Sequence, residues 1–172
     1  MNKLIQSNIL RFILIMLFQV LVCKGINLNQ GSFQYFHVLF YPIAILLLPV
    51  DMPKPYVLLS AFALGIMVDV FYDSLGVHAS ASVFLAYARS YILKILEPRG
   101  GYSFKTAGLE NMEFYWFISY LSISMVIFLA VYFSMDAFSF VYFGRIVLNT
   151  LFSFILSVSL ILIYQVIFRS RT

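Results

Sequence analysis

Two carboxylates and a histidine lie close together in an apolar part of the chain. Asp69 and Asp73 are four residues apart, and His78 follows after a short turn. On a continuing helix, that spacing places both carboxylates on one face. Ionisable residues inside a membrane are costly and raise the hypothesis of a functional site, here for a cation or a proton. We favour a structural role instead, in which Asp69 pairs with a basic residue and Asp73 marks the turn.

The depth of each residue along its helix suggests a partner for Asp69. At about 1.5 Å per residue, Asp69 lies roughly 20 Å from the start of its predicted helix, and Arg145 lies at a similar depth. Arg89 lies about 10 Å from the nearer end of its predicted helix, so its long side chain can extend to the membrane surface. We therefore predict an ion pair between Asp69 and Arg145.

Polar residues also recur near the end of the chain. Arg145, Asn149, Ser153 and Ser157 follow one another at steps of four, which places them on one face of a helix. Such stripes in membrane proteins usually hydrogen-bond to a neighbouring helix. Packing is the interpretation we favour, and a hydrophilic path for a substrate is the alternative.

Small residues mark a second packing surface near the two aspartates. Ala61 and Gly65 form one small-xxx-small pair, and Gly76 with Ser80 forms another, while Ala79 adds to the small side of the second helix. Such positions let two helix backbones approach closely. The segment from Asp69 to Ala86 is therefore predicted to be a tightly packed hairpin.

The composition shows what surrounds these residues. Of the 172 residues, 63% are hydrophobic and 10% are charged, whereas average soluble domains are about 45–50% apolar and about 25% charged. A bilayer can serve as solvent for so much apolar surface. We predict a single integral membrane domain, 1–172. The net charge of +4 comes from scattered basic residues, which does not fit a nucleic-acid-binding face.

Six stretches approach the length of about 20 residues that a helix needs to cross the bilayer. They predict an all-α membrane protein, a bundle of about six transmembrane helices, with a kink at Pro42 in the second. Polar or proline-containing turns separate the spans, which cover residues 9–22, 33–50, 56–71, 77–96, 114–133 and 141–168.

The distribution of Lys and Arg predicts the orientation. Basic residues are enriched in cytoplasmic segments, and with a cytoplasmic N-terminus the outer loops contain only Lys24. Both termini are then cytoplasmic. The basic residues of the cytoplasmic segments are Lys3, Lys54, Lys94, Arg99, Lys105, Arg169 and Arg171.

Motifs of enzymes are missing from the sequence. It contains no HExxH, no GxSxG and no phosphate-binding glycine loop. No nucleophile stands at a readable spacing from a base and an orienting group. We expect a non-enzymatic protein with no catalytic residues, no cofactor, no metal and no small-molecule substrate.

The hairpin sequence GIMVDVFYDSLGVHA, residues 65–79, resembles the most recognisable stretch of the MreD family of rod shape-determining proteins. A glycine-containing helix runs into Asp69, and Gly76, His78 and Ala79 open the next helix. The continuation YILKILEPRGGY, residues 91–102, is similar to the Bacteroidetes-type branch of that family. The length and the six-span layout also match, although the specific residues are confined to positions 65–102.

This resemblance implies a scaffold subunit of the bacterial cell-elongation complex in the inner membrane, which serves peptidoglycan synthesis. The resemblance further implies binding to the single-span protein MreC and, through it, to the MreB filament and the wall synthases. The family is similar in architecture to the substrate-binding subunits of energy-coupling-factor transporters. Asp69, Gly76, His78 and Ala79 carry over as motif positions without known chemistry.

The longest polar segment, Glu97–Glu113, is the loop best suited to contact a soluble partner. It contains Arg99, Lys105 and Glu110, and it serves equally well as a plain connector. Two other functions stay open: a vitamin-binding transporter subunit, and a proton- or cation-coupled carrier using Asp69 and Asp73. The bulky first span argues against the former, because such subunits use small residues there to meet their partner.

Labelling of introduced cysteines tests the predicted orientation. In a Cys23→Ser chain, single cysteines placed near either terminus should both react only when the cytoplasmic side is accessible, because an even number of spans returns the chain to its starting side. Reaction of the two ends from opposite sides would contradict the layout.

Overall fold

The structure, a computed structural model, describes residues 3–26, 37–102, 107–109, 111–138 and 143–168. These residues form helices joined by turns and by one non-helical stretch, residues 37–40. A π-helical turn, Gln19–Cys23, follows the first helix directly. The helices are α1 (Lys3–Phe18), α2 (Lys24–Ile26), α3 (Pro42–Leu46), α4 (Lys54–Tyr72), α5 (Val77–Ile95), α6 (Phe114–Ala137) and α7 (Phe143–Ile167).

Within the described ranges, three helices are long and apolar enough to cross a membrane: α4, α6 and α7. This confirms an all-helical membrane protein in outline. The apolar part of the first helical run, Leu10–Cys23, is shorter. Helix α5 is as long as α4, at 19 residues, but its sequence carries His78, Arg89 and several serines. A count of six spans therefore remains a prediction.

The prediction of a continuous second span over residues 33–50 is wrong in its described part. Residues 37–40 are not helical, and only α3 forms a short helix before the chain turns at Leu47. The physical reason lies in two prolines. Pro42 has no N–H and occupies the first turn of a helix, where none is needed, so a helix begins there instead of kinking there. Pro49 also lacks an N–H, so α3 cannot continue through it.

This interrupted segment lies in the centre of the protein. Every residue from Val38 to Leu48 is buried, and Tyr41, Ile43 and Ile45 are fully enclosed. Non-helical backbone at membrane depth is tolerated only where protein or a water-filled cavity surrounds it, because lipid offers no hydrogen-bond partners. The other helices must therefore supply those partners.

The surrounding helices pack in chain order: α4 against α5, α5 against α6, and α6 against α7. The predicted tight hairpin is confirmed at Gly65, which lies directly against the backbone of α5. A Cβ atom at Gly65 would lie 2.4 Å from the Cα of Ala79 and 2.8 Å from the carbonyl oxygen of His78. Only glycine fits this contact.

The substitution Gly65→Ala should destabilise the protein, because the added methyl group meets backbone that cannot move aside. Overpacking costs about 1–3 kcal/mol, so the thermal midpoint in detergent should fall by about 2–12 °C. The matched control is Gly144→Ala on α7, where a Cβ meets nothing within 4 Å. An equal loss in both variants would contradict the close helix contact.

Candidate functional site

The carboxylate of Asp69 caps the start of α5. The backbone N–H of His78 donates to Asp69 Oδ1 at 3.0 Å, and that of Ala79 donates to Oδ2 at 2.8 Å. The first N–H groups of any helix lack partners within the helix and carry partial positive charge. Gly76, at the N-cap position, has no side chain that could supply a hydrogen-bond partner for these N–H groups. Asp69 supplies it from the preceding helix.

The turn between the two helices is built around the same aspartate. The hydroxyl of Ser74 donates to Asp69 Oδ1, and the backbone N–H of Ser74 donates to the Asp69 carbonyl at 3.1 Å. Asp73 ends α4 in the left-handed conformation with φ 54°, and Gly76 has φ 82°. Asp73 itself is exposed. The two aspartates therefore belong to one turn but do not form a paired acidic site.

His78 is buried among tyrosines. Its Nδ1 lies 3.1 Å from the hydroxyl of Tyr41, and its ring centroid lies 5.0 Å from that of Tyr72 and 4.9 Å from that of Tyr132. Tyr41 belongs to the interrupted segment, Tyr72 to α4 and Tyr132 to α6. The histidine thus joins the hairpin to the buried segment.

Gln19, in the π-helical turn after α1, binds the non-helical start of the buried segment. Its Oε1 accepts the N–H groups of Phe40 at 2.7 Å and Tyr41 at 3.2 Å, and its Nε2 donates to the carbonyl of Val38 at 3.1 Å. Nε2 also lies 2.8 Å from the hydroxyl of Tyr72. A single side chain therefore satisfies three backbone groups and contacts α4.

The polar stripe on α7 also hydrogen-bonds to the start of this segment. The N–H of His37 donates to Ser153 Oγ at 3.0 Å, and that of Leu39 donates to Ser157 Oγ at 2.9 Å. The stripe bonds to non-helical backbone, whereas the sequence predicted bonds to a neighbouring helix. Asn149 is buried on the same face, and its Oδ1 has no hydrogen-bond partner within the described residues.

Arg89 and Tyr120 bind the far end of the segment. Arg89 is 2% exposed; its Nη2 donates to the carbonyl of Leu48 and, at 3.4 Å, to that of Pro49, and its Nε donates to the hydroxyl of Tyr120 at 3.1 Å. Tyr120 in turn donates to the carbonyl of Leu46 at 3.1 Å. The prediction that Arg89 extends to the membrane surface is therefore wrong, because the carbonyls of Leu48 and Pro49, just after α3, hold its guanidinium inside the protein.

The predicted ion pair between Asp69 and Arg145 is not formed. The described partners of the Asp69 carboxylate are Ser74, His78 and Ala79, and Arg145 lies exposed near the start of α7. Similar depth in the membrane did not bring the two together. Backbone N–H groups at a helix start carry partial positive charge and compensate the carboxylate in place of a cation.

The structure thus divides the predicted site residues into separate places. Gly65, Asp69, Asp73, Gly76, His78 and Ala79 meet at the α4–α5 turn, whereas Arg89 lies near the other end of α5. Asn149 and Ser153 are buried on one face of α7, where Ser153 accepts the N–H of His37. Of the predicted partner loop, Arg99 is exposed, and Lys105 and Glu110 lie outside the described residues.

Sequence reasoning missed the roles of Gln19, Tyr41 and Tyr120. A polar glutamine inside an apolar run was the one available signal, because such residues in a membrane span mark buried polar contacts. Over the part of the chain that the structure describes, no three His, Cys, Asp or Glu side chains come together in a way that would hold a metal ion.

An apolar groove of about 640 Å³ opens between α1 and α7, and Phe40 contributes to its lining. Arg11 is the one charged residue among the described residues that line it. A small-molecule site usually combines apolar walls with several convergent polar groups, which this lining lacks. The groove is suited to an apolar occupant. Its α1 and α7 walls are Leu10, Arg11, Leu14, Ile15, Phe18, Leu160, Ile163, Tyr164, Ile167 and Phe168.

Comparison of the chain with protein-family models, with curated proteins and with solved structures found no match.

The substitution Asp69→Asn should lower the thermal midpoint in detergent by several degrees. The amide has one acceptor oxygen, so one of the two N–H groups at the start of α5 loses its partner, which costs about 1–3 kcal/mol. Asp73→Asn is the matched control, since it is exposed and asparagine tolerates the left-handed conformation. If both variants lost the same stability, capping by Asp69 would be contradicted.

Proposed function

We propose that this chain is a non-enzymatic scaffold subunit of a bacterial cell-elongation complex and that it binds an MreC-like single-span partner. In this proposal the chain lies in the inner membrane with both termini cytoplasmic. The MreB filament and the peptidoglycan synthases are indirect partners. The sequence basis is the resemblance of residues 65–102 to the MreD family.

The observation that supports the proposal is the structural role of the motif residues. Asp69, Gly76 and His78 hold the α4–α5 turn and link it to the buried segment, and Gly65 gives α5 its close contact. A motif whose residues stabilise the fold in this way supports a role in presenting a rigid surface. It gives less support to a carrier, because both oxygens of the Asp69 carboxylate accept hydrogen bonds from within the hairpin.

The groove between α1 and α7 is the surface we assign to the partner's transmembrane helix. Its two walls run from Leu10 to Phe18 and from Leu160 to Phe168, each about 12 Å long at the rise of an α-helix. Helix association within lipid relies on packing because lipid tails are as apolar as the side chains. A groove between two helices offers more packing contact to a third helix than a single convex face does.

Photocrosslinking in native membranes tests this assignment. A crosslinking residue in place of Ile163, in the groove and 56% exposed, should capture a single-span protein with a coiled-coil segment. The same residue in place of Ile155, which is 61% exposed on α7 outside the groove lining, is the control. Capture at Ile163 and not at Ile155 is the expected result.

Two other results would count against parts of the proposal. Equal capture at both positions would contradict the groove as the contact surface. Purification from membranes without any single-span partner would contradict the scaffold function itself. Recovery of a bound vitamin-like molecule would instead favour the transporter subunit.

A further inference from the structure

A second, more polar pocket lies where α4 begins and α5 ends. Its volume is about 260 Å³, and it is distinct from the groove between α1 and α7. Lys54 is the first residue of α4, and Lys94 lies in the last turn of α5. The distribution of basic residues assigns this end of the hairpin to the cytoplasmic surface. Its charged and hydroxyl-bearing lining residues are Lys54, Arg89, Ser90, Lys94, Glu97 and Tyr102.

The charge of this lining is positive. Among the described lining residues, three are basic, Lys54, Arg89 and Lys94, and one is acidic, Glu97. The helix dipole adds partial positive charge at the start of α4, and neither a side-chain cap nor an acidic residue in the first turn offsets it. Burial, followed by the charge of Glu97, raises the pKa of Tyr102 to about 12, so this tyrosine stays neutral and contributes no negative charge.

Arg89 is the central feature of the pocket, because it is a buried cation with no counter-ion among the described residues. Its Nε and Nη2 bind a tyrosine hydroxyl and two carbonyls, while Nη1 donates to none of the described residues. Nor does any carboxylate in the described part of the chain pair with its guanidinium. A buried charge is costly unless it is paired. The neutral partners of Arg89 orient the guanidinium but leave its charge uncompensated.

We propose that this pocket binds a phosphate group, supplied by the headgroup of an anionic lipid or by a free phosphate compound. Arginine and lysine together are the usual ligands of phosphate, the former through planar paired donors and the latter as a point charge. The two lysines are exposed at the rim, and the buried arginine lies behind them. This site is independent of the partner surface proposed above and of the elongation function.

Trp116 is a built-in probe for this site. It is the only tryptophan of the chain, its Nε1 donates to the carbonyl of Leu96 at 2.7 Å, and its ring stacks on Tyr120 at 5.2 Å. Tyr120 in turn accepts a hydrogen bond from Arg89. The fluorescence of Trp116 should therefore change in a saturable way when an anion occupies the pocket.

The experiment titrates the full chain, purified in neutral detergent and stripped of lipid, with three probes in separate arms. These are inorganic phosphate, phosphatidylglycerol, and phosphatidylcholine with the same acyl chains. A saturable change with phosphatidylglycerol alone assigns the site to an anionic lipid headgroup, and one with inorganic phosphate as well assigns it to phosphate in general. No saturable change with either, or equal affinity for phosphatidylcholine, overturns the proposal.

The variant Lys54→Gln/Lys94→Gln tests the residues without touching the buried arginine. Each lysine near an anionic surface strengthens binding, so loss of both should weaken binding by about tenfold or more. Arg145→Gln removes another exposed cation, on α7 outside the pocket lining, and should leave the affinity unchanged. The thermal midpoint without ligand should match in both variants. Unchanged affinity in the double variant would refute the assignment.

Discussion

The backbone of residues 37–49 has to be hydrogen-bonded inside an apolar protein, and much of the architecture follows from that need. A helix satisfies its own N–H and C=O groups, but this segment is helical only over Pro42–Leu46. An unpaired buried backbone group costs about as much as a lost hydrogen bond. Each polar side chain that reaches the segment therefore removes a penalty that lipid could not remove.

Those side chains come from four different helical elements. Gln19 follows α1, Arg89 lies on α5, Tyr120 lies on α6, and Ser153 and Ser157 lie on α7. Each bond has a direction and a short range, so together they restrict how these helices can be arranged around the segment. A bundle held only by apolar packing would permit more alternative registers. This internal bonding provides the rigidity that a docking surface or a fixed anion site requires.

The same physics accounts for the α4–α5 hairpin, where a carboxylate replaces the missing cap of a helix. The carboxylate of Asp69 is compensated by the N–H groups at the start of α5, whereas the described partners of Arg89 are neutral carbonyls and a tyrosine hydroxyl, so its positive charge is kept. The two buried residues thus differ in how much of their charge stays uncompensated. The charge of the aspartate is compensated within the fold, whereas the arginine remains able to attract an anion.

Much of this could be predicted from the sequence, and the limit lies at particular residues. The apolar runs determined membrane-length helices at α4, α6 and α7, and the small residues at Gly65 and Ala79 determined a close hairpin, because length, hydropathy and side-chain volume are local properties. The partners of Asp69, Arg89 and the α7 serines were decided only by tertiary structure. The depth of a residue along its helix does not determine which helix faces meet. An apolar run does not show that two prolines will leave its backbone groups dependent on hydrogen bonds from other elements.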